Sequence, residues 1–144
     1  MAYKHVLAAT DFSELGNLAI ARAVAIASDS HAALTLLHVI DAAPVPNPLY
    51  GHYSVVTDEA AEKRALERAR ELLAGELTAA GGTTADLRVN IGDATDEILE
   101  CAQAAGADLI VLATHGRRGV RRLVLGSVTE RVVRLATCSV LVVR

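Results

Sequence analysis

Residues 109–127 read Leu109-Ile-Val-Leu-Ala-Thr-His-Gly-Arg-Arg-Gly-Val-Arg-Arg-Leu-Val-Leu-Gly-Ser127. The run Leu109–Leu112 is apolar enough for a buried strand, and Ser127 with Glu130 three residues later has the spacing of a helix capping box. Three glycines and four arginines fill the loop between them. Glycine lets backbone N–H groups approach a ligand closely, while a helix start and arginines add positive charge. The segment predicts a strand, a phosphate-holding loop and a helix capped by Ser127.

Two common phosphate-binding motifs are absent from the sequence. No glycine is followed by lysine, which excludes G-x-x-x-x-G-K-[ST], and no G-x-G-x-x-G follows the first predicted strand. The same glycines would also suit an ordinary strand-to-helix connection whose arginines face water. Residue chemistry at this point leaves both interpretations open, since short glycine motifs often occur without a ligand.

Strand and helix signals alternate along the rest of the chain. Strands are predicted at residues 4–9, 33–40, 84–89, 109–112 and 140–143, and helices at 13–27, 58–77, 93–105 and 127–135. The first and fourth strands are short and apolar, which favours central positions, whereas the third alternates polar and apolar residues like an edge strand. We therefore predict an α/β fold: one domain over residues 1–144, with a doubly wound parallel five-stranded sheet of order 3-2-1-4-5 and helices on both faces.

This strand order places the carboxyl ends of strands 1 and 4 side by side, where the winding reverses. Ligands of open α/β sheets bind at such a switch point. The two ends carry Ala9-Thr10-Asp11 and Ala113-Thr114-His115-Gly116. The glycine-rich loop and the crevice that the topology predicts therefore coincide, which favours a ligand site over a plain connection.

The composition of the chain bears on the cellular compartment in which the protein is found. Apolar residues make up 52% of the 144 residues, yet no uninterrupted run approaches the ~20 residues that a membrane span needs. No secretion signal opens the sequence. Cys101 and Cys138 are isolated in apolar contexts, which is typical of reduced core thiols. We predict a cytoplasmic protein that is not attached to a membrane.

The distribution of charge along the chain bears on the class of ligand that the protein binds. The net charge is −3, but residues 113–144 carry seven basic residues and one acidic residue. Such an excess can attract nucleic acid or a phosphorylated small molecule, or it can simply face water. Aromatic residues make up only 3% of the chain and Trp is absent, so the base-stacking platforms of single-strand binders are missing. The sequence thus favours a small phosphorylated ligand over nucleic acid.

Catalytic and metal-binding patterns are absent from the sequence. The histidines form no H-x-x-x-H pair, no C-x-x-C occurs, and no G-x-S-x-G elbow is present. His115 alone lies in the predicted crevice, and as a general base it would need a nucleophile or a positioned water. We identify no catalytic constellation and no metal-binding residues.

The segment Ala113-x-x-Gly116, nine residues and then Gly126-Ser127 resembles the G-x2-G-x9-G-[ST] ATP-binding signature of the universal stress proteins. The resemblance extends over essentially the whole chain. Val6-Leu-Ala-Ala-Thr-Asp11-Phe-Ser resembles the family's first strand, Gly92-Asp93-Ala94 the turn before its third helix, and Cys138-Ser-Val-Leu-Val-Val its closing strand. The chain departs from the signature at Ala113, where the family has glycine.

The resemblance implies a site for ATP and Mg²⁺. Ala9, Thr10 and Asp11 would line the adenosine end, with Asp11 on the ribose or near a metal-bound phosphate, and Val39 would offer backbone groups to adenine. The implied cofactor-binding residues are Ala9, Thr10, Asp11, Val39, Ala113, Thr114, His115, Gly116, Arg117, Arg118, Gly119, Gly126, Ser127, Val128 and Thr129. Plain alternatives stay open: Asp11 as a turn residue, Val39 as core and Ser127 as a cap only.

Three functions compete. The first is an ATP-binding universal stress protein that acts as a nucleotide-dependent regulatory or stress-response module without strong catalysis. The second is a weak ATPase or nucleotidyl-transfer enzyme on the same fold. The third is a dimerisation module with an empty pocket. The missing base–nucleophile pair favours binding over catalysis, and the intact loop from Gly116 onward disfavours the third.

Two further segments bear on assembly. The predicted fifth strand is an edge without proline, glycine or charge between Val140 and Val143, and such an edge invites another strand. We therefore predict a homodimer through residues 138–143, as the resemblance also implies. Residues 41–57 hold all three prolines and show no periodicity. They are either a plain surface loop, or a flap over the ligand or a subunit contact.

Overall fold

The computed structural model describes residues 2–42, 45–47, 52–54, 58–116 and 125–144. The strands are β1 His5–Ala9, β2 Ala33–Asp41, β3 Val45–Asn47, β4 His52–Ser54, β5 Asp86–Gly92, β6 Leu109–Ala113 and β7 Ser139–Val143. The helices are α1 Glu14–Ser30, α2 Glu59–Ala79, α3 Ala94–Ala105 and α4 Ser127–Leu135. None of these helices is long and apolar enough to cross a membrane.

The main sheet has five parallel strands in the order β5-β2-β1-β6-β7. Counted along the main sheet, this is the predicted order 3-2-1-4-5, and the fold prediction is confirmed. In β1, Val6 and Ala8 pack into a core with α1 and α2, whereas Leu7 and Ala9 pack into a second core with α3 and α4. Because β1 is covered on both faces, its buried residues Val6–Ala9 are all apolar.

Two segments differ from the prediction. The third strand of the main sheet, β5, runs on to Gly92 instead of ending near residue 89, since its last three residues pair with residues 39–41 of β2. The connection 41–57, expected to be aperiodic, contains a two-stranded antiparallel sheet of β3 and β4. Its role as a flap or subunit contact stays a prediction.

Three helices begin at a side-chain cap. Ser13 accepts a bond from the Gly16 N–H, and Asp58 and Asp93 cap α2 and α3 in the same way. Each of these carboxylates or hydroxyls satisfies N–H groups that a first helical turn leaves unpaired.

The fourth helix begins differently, and the predicted Ser127 cap is wrong. Gly126 is the N-cap of α4, without a side-chain cap bond, and Ser127 is the first helical residue. The reason is tertiary: the Gly126 N–H donates to the Thr114 carbonyl at 2.6 Å, which fixes Gly126 outside the helix. Glu130 pairs with Arg134 one turn later rather than completing a capping box.

Candidate functional site

An open cleft lies at the carboxyl ends of β1, β2 and β6, at the switch point of the sheet. Nine of the predicted site residues line it: Ala9, Thr10, Asp11, Val39, Ala113, His115, Gly116, Val128 and Thr129. Their role in binding a nucleotide stays a prediction.

The remaining predicted residues fall into two groups. Thr114, Gly126 and Ser127 lie next to the cleft, where the two ends of the glycine-rich loop meet. Arg117, Arg118 and Gly119 lie outside the described residues.

Sequence reasoning missed Gly16, Ala94, Ile98 and Leu112, which also line the cleft. Gly16 carried a usable signal, because glycine in the first turn of a helix costs stability unless something approaches closely. Ala94 and Ile98 carried none, since the position of α3 beside the cleft depends on how the chain crosses the sheet.

The β1–α1 turn is held in a left-handed conformation. Phe12 has φ +62°, which is rare for a bulky residue, and its N–H donates to Thr10 Oγ1 at 3.0 Å. The Ser13 N–H donates to Asp11 Oδ1 at 3.0 Å. On the opposite side, the Thr10 carbonyl accepts a bond from His38 Nδ1 at 2.7 Å. These bonds fix Asp11 at the end of β1, beside the cleft.

The backbone of Val39 faces the place where β1 has ended. The last rung between β1 and β2 runs from the Thr10 N–H to the Leu37 carbonyl at 3.0 Å. Successive residues of a strand direct their backbone groups to alternate neighbours, so Val39 points the same way as Leu37, toward β1. Among the described residues no partner takes up the Val39 N–H or carbonyl there. One donor and one acceptor are thus presented side by side at the cleft.

The two ends of the glycine-rich loop are fastened together. The Thr114 N–H donates to the Val143 carbonyl at 2.8 Å, and Thr129 Oγ1 donates to the Ala113 carbonyl at 2.7 Å. With the Gly126–Thr114 bond, these contacts bring the start of α4 against the end of β6. Because no side chain among the described residues caps α4, its first N–H groups are oriented to bind an anion at the cleft.

Gly116 passes very close to Asp11. A Cβ at position 116 would lie 2.0 Å from Asp11 Oδ2, well inside contact distance. A Cβ at position 116 would therefore displace the Asp11 carboxylate from its present position. At Gly126 a Cβ would lie 3.3 Å from the Thr114 carbonyl oxygen and from His115 Cα, so the loop ends meet tightly but without overlap.

The cleft combines an apolar wall with polar ends. Val39, Ala94, Ile98 and Val128 supply apolar surface, while Asp11 and Thr129 supply oxygens. Within the described part of the chain no three His, Cys, Asp or Glu side chains cluster as metal ligands. Both cysteines are free thiols, and burial raises the pKa of each, which disfavours the reactive thiolate. The apolar wall beside the polar groups and the start of α4 suits a ligand that is partly apolar and carries an anionic group.

Comparisons with known proteins agree with one another. A family model described as the universal stress protein family matches residues 2–144. A Staphylococcus epidermidis protein assigned to the universal stress proteins is 37% identical over all of this chain and 86% of its own length.

Solved structures give the same result. Universal stress protein UspA from Lactobacillus plantarum is 30% identical, with a TM-score of 0.79, covering 100% of this chain and 99% of that one. A universal stress protein in complex with cAMP is 29% identical, with a TM-score of 0.67 and coverage of 100% and 98%. The family match over nearly the whole chain, together with relatives above 30% identity, shows that this chain belongs to the universal stress protein family.

Proposed function

We propose that residues 1–144 form one nucleotide-binding domain that binds ATP with Mg²⁺ and acts as a regulatory or stress-response module without strong catalysis. The observation that supports this proposal is that two groups able to bind a nucleotide lie at the same cleft. The backbone donor and acceptor of Val39, which no described residue takes up, lie on β2, and the start of α4, which no described side chain caps, follows the glycine-rich loop. The family relative in complex with cAMP supports an adenine nucleotide as the ligand class.

The base would bind against β2. Adenine carries an amino donor next to a ring-nitrogen acceptor on one edge, which is the complement of a backbone carbonyl next to an N–H. Val39 offers that pair at the cleft, and Ala94 and Ile98 offer an apolar surface for the ring faces. The fit needs no side chain for recognition, which is consistent with an apolar residue at position 39.

The phosphates would bind at the start of α4. Helix N-termini favour anions through their unpaired N–H groups and positive dipole end. Val128 and Thr129 line the cleft in the first turn of α4, and Ser127 begins the helix beside them. We assign Arg117, Arg118 and Gly119 to the same phosphates on the basis of the sequence, since they belong to the connecting loop.

The donor set fits a magnesium ion carried mainly by the phosphates. Mg²⁺ prefers oxygen ligands and is usually held by one or two carboxylates together with substrate phosphates. Asp11 is the carboxylate at the cleft, and Thr129 is a hydroxyl in its lining. Asp11 would contact the ion or the ribose, and the ion would lower the charge of the phosphates.

We also propose a homodimer formed through residues 138–143, with β7 pairing against β7 of a second copy. β7 is an edge strand of the main sheet. The Val143 carbonyl points inward to the Thr114 N–H, so the backbone groups of Val142 point outward, where a partner strand would pair. The free thiols Cys101 and Cys138 are consistent with a reducing compartment, and we propose the cytoplasm.

Titration calorimetry with ATP, ADP and cAMP, each with Mg²⁺ or with chelator, tests the proposed ligand. We expect saturable one-site binding that is at least tenfold weaker in Gly116→Ala, because its Cβ would displace the Asp11 carboxylate. Gly75→Ala is the matched control, since nothing lies within 4 Å of a Cβ there. Absence of binding at millimolar nucleotide would refute the proposal. Prolonged incubation with ATP and Mg²⁺, followed by nucleotide analysis, separates a binding module from a weak ATPase.

A further inference from the structure

His38 lies next to the proposed base-binding residue but does not line the cleft. In β2, Leu36 packs into the core with α1 and α2, and Leu37 into the core with α3 and α4. Because side chains alternate along a strand, the His38 side chain leaves the sheet on the α1–α2 face and Val39 on the other. His38 is therefore in a position to act on the site from behind rather than on the ligand.

The imidazole of His38 contacts the β1–α1 turn in two ways. Its Nδ1 lies 2.7 Å from the Thr10 carbonyl oxygen, and since a carbonyl only accepts, Nδ1 carries the proton and donates. Its ring packs on the Phe12 ring with centroids 4.4 Å apart. Phe12 is the residue with φ +62°, a conformation that neighbouring contacts must stabilise. His38 thus holds both the last carbonyl of β1 and the left-handed residue that follows it.

The Thr10 carbonyl is the group that would otherwise extend the ladder. The Thr10 N–H donates to the Leu37 carbonyl, so the regular parallel pattern would next join the Val39 N–H to the Thr10 carbonyl. No such bond is present among the described residues, and the carbonyl is bonded by the His38 side chain instead. The donor that replaces Val39 therefore comes from the residue immediately before it.

We propose that His38 is a positioning residue of the nucleotide site: by drawing the Thr10 carbonyl out of the β1–β2 ladder, it keeps the Val39 N–H available to the base and holds the turn that carries Asp11. The inference rests on the proposed function for its purpose, but its structural part concerns the unliganded protein. Without this bond, the Val39 N–H would pair with Thr10 and the cleft would lose its donor.

A matched pair of variants separates the hydrogen bond from ring packing. His38→Phe keeps a ring against Phe12 and removes the donor, whereas His38→Asn loses the ring and keeps an N–H donor near the position of Nδ1. We expect His38→Phe to weaken ATP binding on the order of tenfold, the loss typical of one hydrogen bond. We expect His38→Asn to stay within about threefold of the unmodified protein.

Amide hydrogen exchange, measured by NMR without nucleotide, supplies a readout that a purely structural role would not change. We expect the Val39 amide of the unmodified protein to exchange rapidly while Leu37 is protected, and Val39 to become protected in His38→Phe. Equal protection of Val39 and Leu37 in the unmodified protein would overturn the inference, as would stronger binding by His38→Phe than by His38→Asn. If His38→Phe does not fold, rapid Val39 exchange and near-normal affinity in His38→Asn support the inference, and protection or lost affinity there refutes it. Failure of the unmodified protein to bind ATP would refute the proposed function, whereas the exchange pattern would still decide the role of His38.

Discussion

Gly16 and Gly75 both lie within helices, yet we expect alanine at the two positions to change stability in opposite directions. In the interior of a helix, alanine is more stabilising than glycine by about 1 kcal/mol. At Gly75, in α2, a Cβ would meet nothing within 4 Å. Gly75→Ala should therefore raise the free energy of unfolding by about 0.5–1 kcal/mol.

At Gly16 the same methyl group would meet the β1–α1 turn. An added Cβ would lie 2.6 Å from Thr10 Oγ1, 2.9 Å from Asp11 Oδ1 and 3.1 Å from Ser13 Oγ. The first two oxygens accept the N–H groups of Phe12 and Ser13, each at 3.0 Å. Displacing both would cost about 1–3 kcal/mol, and weakening the Ser13 cap would cost up to about 1 kcal/mol more. After the helical gain of about 1 kcal/mol, Gly16→Ala should lower the free energy of unfolding by up to about 3 kcal/mol.

Urea unfolding of the three proteins at one protein concentration measures both changes, and the fixed concentration keeps the contribution of dimer dissociation the same in all three. Calorimetry on the same samples should show weaker ATP binding for Gly16→Ala alone, since Asp11 has to move. If Gly16→Ala were as stabilising as Gly75→Ala, the close packing of α1 against the Thr10–Asp11 turn would be wrong.

Three further predictions concern acid stability, the metal and assembly. The N–H groups of His5 and Lys4 bonded to the carboxylate hold the pKa of Asp108 below its ordinary value, so this contribution to stability is complete above about pH 4 and is lost as pH falls through the folded-state pKa. Asp108→Asn should therefore lower the urea midpoint at pH 7 and make the midpoint fall less steeply as the solution is acidified. A midpoint equal to that of the unmodified protein both at pH 7 and in acid would contradict this. Asp11→Asn keeps an oxygen for the turn but removes the charge, so ATP binding measured by calorimetry should weaken and lose most of its dependence on Mg²⁺, and an undiminished metal response would leave Asp11 as a turn residue only. Val142→Pro removes an outward N–H of β7 and should convert the dimer to monomer or aggregate in sedimentation at micromolar protein, whereas a monomeric unmodified chain would refute the β7 interface.

The strand order could be predicted because it depends on the pattern of apolar residues within each strand. A strand covered on both faces must be largely apolar, as Val6–Ala9 of β1 and all of β6 are, and the alternating residues of β5 mark it as an edge. Right-handed crossovers then leave few arrangements, and the switch point follows from the order. The ends of β1 and β6 at the cleft could therefore be named from the sequence.

Other parts of the site depend on distances between residues far apart in the chain. Ser127 looks like a cap in sequence, but the bond from the Gly126 N–H to Thr114 moves the helix start by one residue. Ala94 and Ile98 reach the cleft only because α3 crosses the sheet from β5 to β6. In the sequence, His38 is simply a polar residue within an apolar strand, and only the structure shows that its Nδ1 is hydrogen-bonded to the Thr10 carbonyl. Periodicity and propensity are properties of neighbouring residues and predict which face is buried, whereas these three contacts exist only when separate elements are packed together.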